Sequence, residues 1–219
     1  MTLSTSPKLI KGGLVVLNDA GTAVARSIAL QYNPDTLSRS YQVQGAGGEG
    51  GAERATPFRL KGPAIETLRI EAEIDATDAL EFPDSNADAV RFGIAPQLAA
   101  LEQLVNPTSE QLTRLDALAS AGTLEIVPPD APLVLFVWSA QRVVPVRVTD
   151  FSITEEAFDP ALNPIRAKVS LGLRVLTTDD LGFAHRGGAL FLNHLRAREA
   201  LAGRSGSATL QSLGVNGPP

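Results

Sequence analysis

The sequence predicts a mainly β protein: an antiparallel barrel or sandwich with a helical insertion and a C-terminal helix at its rim. Two stretches of strict apolar/polar alternation, and a series of further short strand-like runs separated by turn residues, carry that reading. Alternation is clearest over residues 66–74, where Leu68, Ile70, Ala72 and Ile74 share one face. Glu66, Thr67, Arg69, Glu71 and Glu73 stay on the other face or at the strand's start. The pattern recurs over residues 166–175: Ala167, Val169, Leu171, Leu173 and Val175 alternate with Arg166, Lys168, Ser170, Gly172 and Arg174. A one-residue slip there would move the whole apolar set into water, so the two faces are strongly specified.

In chain order, residues 9–17 and 23–32 read as the first two strands. Asn18, Asp19, Ala20 and Gly21 between them suit a hairpin turn, because Asn, Asp and Gly tolerate positive φ. Residues 37–44 are a third strand, and glycine then dominates residues 44–57, which read as a flexible loop. After the strand at 66–74, a helical insertion covers about 84–121. Residues 96–105 open on Pro96 and place Leu98, Leu101, Leu104 and Val105 at helical spacing. A second helix follows at 109–119, capped by Thr108 or Ser109 with Glu110 and Gln111. Strands return at 133–138, 143–154 and 166–175. The last helix spans 188–202 with Leu190, Phe191, Leu195 and Leu201 as packing residues. Residues 1–203 are expected to form one domain, and the small, polar stretch 204–219 a flexible tail.

A chain of 219 residues can bury a core without staples, and with no cysteine it has neither disulfides nor thiolate metal sites. The 24 acidic residues outnumber 19 basic ones for a net charge of −5, with both signs dispersed. Such a distribution offers no basic footprint for nucleic acid and no polybasic helix for a membrane. No apolar run reaches spanning length, and MTLSTSPKLIKGG has no apolar centre of the secretory type, so the expected location is cytoplasmic.

Groups that could do chemistry are scattered. His185 and His194 lie near the last helix without ligand-type neighbours, and read as surface or packing residues. Glu155 with Glu156, and Asp179 with Asp180, are adjacent pairs, which on a strand point to opposite faces. The glycine-rich segment lacks the GxxxxGK[ST] ending of a phosphate cradle, and no serine sits in GxSxG. No catalytic residue, metal site or cofactor is therefore expected. Trp138 ends an apolar strand and reads as a core or interface aromatic.

The order of the motifs resembles one family. Tyr32, Asn33 and Pro34 end an early strand, and FGIAPQLAALEQLVNP at 92–107 supplies a helical segment. Then come the apolar strand ending in Trp138, the strand 148–158 ending in Phe158, and Asn163, Pro164, Arg166 and Ala167 leading into the last long strand. Over roughly residues 8–200 this is similar to the tube-type proteins of contractile injection systems, the phage-tail-like needles of bacteria, and within them to the tube-initiator or spike-adaptor subgroup.

The resemblance implies a small β-barrel with a flanking helix, and a ring, six subunits around a lumen, that joins the spike to the inner tube in the baseplate hub. Its implied partners are further copies of itself, spike and inner-tube proteins and other baseplate proteins, within assembled phage-tail-like particles. Many such adaptors carry a C-terminal LysM-type module, which the short stretch after Arg198 is not expected to supply. The expected assembly or lumen positions are Glu66, Arg69, Glu71, Glu73, Arg166, Lys168 and Arg174. Tyr32, Asn33, Pro34, Trp138, Phe158 and Pro164 are the expected motif and packing positions. The alternatives are the bulk inner-tube protein, against which the long insertion argues, and a β-barrel enzyme or ligand-binding domain.

Overall fold

The strands expected from alternation pair into one antiparallel sheet in a computed structural model that describes residues 10–18, 20–45, 60–122 and 131–206. The sheet is built from β1 (Gly13–Leu17), β2 (Val24–Ala29), β3 (Leu37–Gln42), β4 (Ile65–Asp75), β5 (Val134–Ser139), β6 (Arg142–Phe158) and β7 (Pro164–Val175). The strand order is β2-β1-β5-β6-β7-β4-β3. The glycine-rich segment beyond Gly45, Asp19 of the first turn and most of the expected tail fall outside the described residues.

The first hairpin forms as its residues require. Gly21 takes φ 65°, and the Asn18 side-chain oxygen accepts from the backbone N–H groups of Thr22 and Ala23. β7 is the spine of the sheet, pairing with β4 on one side and β6 on the other. Its alternation is realised in full: Ala167, Val169, Leu171, Leu173 and Val175 are each at most 1% exposed. They meet Leu68 and Ile70 of β4, Phe136 of β5 and Val144 and Val146 of β6 in one core cluster.

β6 is longer than any apolar alternation in its sequence, because its inward set changes parity. Val144, Val146 and Val148 face the core, then Phe151 and Ile153 do, and Thr149 is the extra residue of a β-bulge between Val148 and Asp150. Gly172 lies opposite. A Cβ there would stand 2.8 Å from the Asp150 Cβ and 3.4 Å from the Thr149 hydroxyl oxygen, so the bulge and the glycine require each other.

Helices cover the same core. The insertion starts earlier than expected and comprises α1 (Thr77–Leu80), a 3-10 turn (Pro83–Ser85), α2 (Ala87–Phe92), α3 (Ala95–Glu102) and α4 (Ser109–Ser120). α1 and α2 bury none of their own residues, which is why no periodic stripe announced them. Ile94, Leu98 and Leu101 bring α3 into the core. Thr108 and Gln111 form the anticipated capping box of α4. Gly93, at φ 58°, lets the insertion approach β7 so closely that a Cβ would overlap the Pro164 carbonyl oxygen, which accepts from the Ile94 N–H at 2.8 Å. After β7, the short α5 (Thr178–Leu181) leads to α6 (Arg186–Ala202), whose Phe191 and His194 are buried.

The sheet is curled. β2 is its first strand and β4 its sixth, yet the side-chain amide of Gln31, two residues beyond β2, bonds both the N–H and the C=O of Asp75 at 2.8 and 2.7 Å. A flat sheet would hold those strands far apart. Among the described residues no backbone ladder joins β2 to β4, so the Gln31 clasp is what draws the two sides of the curl together.

Gly172→Val should lower folding stability by about 1–3 kcal/mol through steric conflict with the β6 bulge. Urea denaturation checks this, and an unchanged midpoint would show that the bulge can move freely.

Candidate functional site

The outer face of β4, β7 and β6 collects the charged residues that alternation places opposite the core. Cross-strand register aligns Glu73 with Lys168 and Thr154, Glu71 with Ser170 and Ser152, Arg69 with Gly172 and Asp150, and Thr67 with Arg174 and Arg147. Six of the residues expected to serve assembly, Arg69, Glu71, Glu73, Arg166, Lys168 and Arg174, thus share one polar surface.

Several of them are already engaged within the chain. Arg166 Nε lies 2.8 Å from Asp75 Oδ2 and 3.9 Å from Glu73 Oε1. Lys168 Nζ lies 2.7 Å from Glu156 Oε1, and Arg174 Nη2 lies 2.8 Å from Asp180 Oδ1. Arg69 and Glu71 make no ion pair among the described residues, and neither do Asp150 and Arg147 on the same face.

Glu66 belongs elsewhere, which corrects its expected place on the polar face. It shares parity with Leu68, Ile70 and Ala72 and is 6% exposed, on the core side of β4. There it accepts a 2.6 Å hydrogen bond from the Tyr41 hydroxyl, and its two oxygens lie 3.1 Å from Arg39 and 3.3 Å from Arg198. Both guanidiniums also stack over the Tyr41 ring, 5.4 and 5.2 Å from its centroid. Burial, then the bond and charge of Glu66, push the Tyr41 hydroxyl above its ordinary value. The cluster joins β3, β4 and the end of α6, and its role is architectural.

The motif residues divide. Trp138 is half-buried and stacks on Phe136 with centroids 5.8 Å apart. Asn33 accepts from the Gly12 N–H and donates to the Ile10 carbonyl, tying the start of the described chain to the turn after β2, beside Pro34. Pro164 opens β7 and receives the insertion. Tyr32 and Phe158 are 49% and 47% exposed, so neither packs within the subunit as expected. Tyr32 lies past the end of β2, and Phe158 closes β6 beyond two further register shifts that release it from the core alternation.

Phe158 is not alone at that end of the sheet. In the β6–β7 turn Asp159 accepts from the N–H groups of Ala161 and Asn163, and this network holds Leu162 at φ 66°. A leucine in a conformation suited to glycine is thereby displayed at 78% exposure. Phe82 and Phe92 of the adjoining insertion are exposed as well.

Asp75 escaped sequence reasoning, and Asp180, read there as the strand neighbour of Asp179, lies with it on the helix α5 instead. Asp180 stands three residues after Thr177 and closes the capping box of α5, a T-x-x-D pattern, while holding Arg174. Burial pushes Asp180 up, but the Thr177 N–H and the Arg174 guanidinium outweigh it and leave the group below the ordinary carboxylate value. Asp75 is lowered first by the Thr77 hydroxyl, against burial, and then by the Thr77 N–H and Arg166. His185 caps α6 by accepting from the Gly187 N–H. His194 is buried with Nδ1 unpartnered among the described residues, and burial pushes its imidazole below the ordinary value. Among the described residues no group of three or more His, Asp or Glu side chains could hold a metal ion, and no helix is long and apolar enough to cross a membrane.

Comparison with known proteins adds one finding. The family model described as contractile injection system tube protein matches residues 9–183. No curated protein matches the chain.

Two outcomes follow from these contacts. Glu66→Ala should cost about 1–3 kcal/mol, because Arg39, Arg198 and Tyr41 lose their common partner while the arginines keep some solvent. An unchanged denaturation midpoint would contradict that. Asp75 and Asp180 have depressed folded values, so their contribution is complete above the ordinary carboxylate value and is lost as pH falls through the folded values. Asp180→Asn should therefore flatten the acid limb of a stability-against-pH curve. A limb as steep as that of the parent would count against the Arg174–Asp180 pair.

Proposed function

The chain belongs to the contractile injection system tube protein family, and from that premise we propose that it forms a ring, of six copies, joining the spike to the inner tube in the baseplate hub. As a tube-type component its role is structural, and the family points away from enzymatic work. The observation that carries the ring reading is the outer face of β4, β7 and β6: long paired strands whose outward residues, Gly172 apart, are mostly charged or hydroxylic while Ala167, Val169, Leu171, Leu173 and Val175 of β7 are sealed. A sheet wet on one face and packed on the other can line an aqueous channel, and repeated head-to-tail around an axis it closes into a ring.

Edges, together with the charged face beside them, supply the contacts between neighbours. Among the described residues β3 pairs with β4 on one side only, and its residues are largely exposed. In an isolated subunit such an edge is open to uncontrolled pairing, and in a ring it becomes a joint. The exposed Leu162, with Phe158, Phe82 and Phe92 at the β6–β7 end, supplies an apolar end suited to the neighbouring layer of the needle. Support for an adaptor over the bulk tube comes from the insertion, which fills Thr77–Ser120 with helices between β4 and β5 and enlarges the subunit at one end.

The charged face gives the direct test. Arg166 is a poor choice, since its pairing with Asp75 means that reversal would disturb the subunit itself. Arg69 has no such intrachain partner among the described residues. Arg69→Glu should leave the monomer folded, with an unchanged circular dichroism spectrum, and reduce the ring fraction in sedimentation velocity at least about tenfold, the effect of one lost contact near 1.4 kcal/mol repeated at each joint. An unchanged ring fraction would remove this face from the assembly contacts.

A further inference from the structure

The later half of α6 is held to the sheet by polar contacts whose charges do not balance. Phe191, His194 and Arg198 follow one another at intervals of three and four residues, so they share one face of the helix. Phe191 joins the core cluster, Arg198 reaches Glu66 of β4, and His194 between them is 9% exposed. Glu66 already serves two guanidiniums, Arg39 through one oxygen and Arg198 through the other, and accepts from the Tyr41 hydroxyl as well. Its single negative charge is matched twice over, and the cluster carries a surplus positive charge.

His194 has no place for a further one. Its Nδ1 is buried without a hydrogen-bond partner among the described residues. In a neutral imidazole one nitrogen carries no proton, but a protonated ring is a donor at both, and Nδ1 would then hold a buried N–H with nothing to accept it. Burial, with Arg198 of α6 and Arg142 of β6, opposes the charged ring and outweighs Glu66 of β4 and the Gln141 backbone between β5 and β6, which favour it. From β3, Arg39 and Tyr41 are committed to Glu66. Of the α5 carboxylates, Asp180 holds Arg174 and Asp179 lies against Gly62.

The two ends of the helix are secured differently. At its start a Cβ on Gly188 would overlap the Gly182 carbonyl and one on Gly187 would crowd Leu181, so α6 is seated on α5 by close backbone contact. At the other end His194 is the last buried residue.

We propose that α6 is an acid-released latch: protonation of His194 frees the helix from Phe191 onward and breaks the Arg198–Glu66 pair, while the start of the helix stays seated on α5. The docked helix favours the neutral ring and the released one accepts the charged ring. The latch is therefore closed above the ordinary imidazole value of about 6.5 and opens as pH falls below it. Release leaves Glu66 with Arg39 alone, and the charges of the cluster then balance. β3 loses its tie to α6 in the same event. That this edge is also a joint between copies rests on the ring reading, whereas the latch does not.

Hydrogen exchange of the full chain at about pH 7.5 and about pH 5.5, expressed as protection so that the intrinsic pH dependence cancels, tests this. Amides of residues 191–202 should lose at least about tenfold in protection at the lower pH, the effect of one buried unpaired donor, while those of β7 keep theirs. Asp75 and Asp180, held below the ordinary carboxylate value, stay charged over this range. His185 caps the start of the helix, and His194→Gln separates its contribution, since in that variant the pH-dependent loss should vanish. Unchanged protection in the parent, an equal loss throughout β7 or an undiminished loss in the variant would overturn the proposal. Proton NMR gives a readout that leaves the site intact: the chain has two histidines, so in His185→Gln the remaining imidazole signal is that of His194. It should titrate below the ordinary value, together with the loss of protection, and titration at or above that value would overturn the latch.

Discussion

A single strand, β7, sets the terms for the rest of the molecule. Its five inward residues are sealed from water, its outward residues are Arg166, Lys168, Ser170, Gly172 and Arg174, and both of its edges are paired. Because side chains alternate strictly, neither face can be changed without the other. The core cluster is organised around Leu171 and Leu173, and the charge rows on the opposite face inherit their register from the same backbone. Even the bulge in β6 answers to β7, since only a glycine at 172 leaves room for Asp150 and Thr149.

From this constraint the division of labour among charges follows. Arg166, Lys168 and Arg174 are each neutralised by a carboxylate of the same chain, drawn from β4, β6 and α5 respectively. These exposed or half-exposed pairs contribute little to stability singly, but they fix the orientation of long side chains on the face proposed for assembly. Glu66 shows the contrast. It is a carboxylate of the same strand with the opposite parity, and it becomes an internal tie between β3, β4 and α6.

Much of the architecture was legible in the residues. All seven strands were anticipated, as were the β1–β2 hairpin, α3, the capped α4 and α6, because each carries a periodic apolar set or a cap. The parity break in β6 is legible too, in the step from Val148 to Phe151, where unbroken alternation stops. α1 and α5 were missed, and α2 was covered only by the bounds of the expected insertion, because helices of four to six residues display no stripe. Glu66 was misplaced because its charge outweighed its parity, although the partners that justify its burial, Arg39 and Arg198, lie 27 and 132 residues away. Tyr32 and Phe158 were expected to pack because the resemblance places them in family motifs, but both sit at the ends of strands, where the core alternation no longer holds them. The clasp of Gln31 on Asp75 joins residues 44 apart through a side chain, and no local pattern marks it.

The central claim, a structural ring at the junction of spike and tube, is tested most directly by counting. Quantitative mass spectrometry of sedimented, sheath-bearing particles should find this chain at about six copies per particle, the number of one closed ring, against a large excess of tube and sheath subunits. A copy number equal to that of the bulk tube would contradict the junction assignment, and absence from the particles would contradict the structural account as a whole.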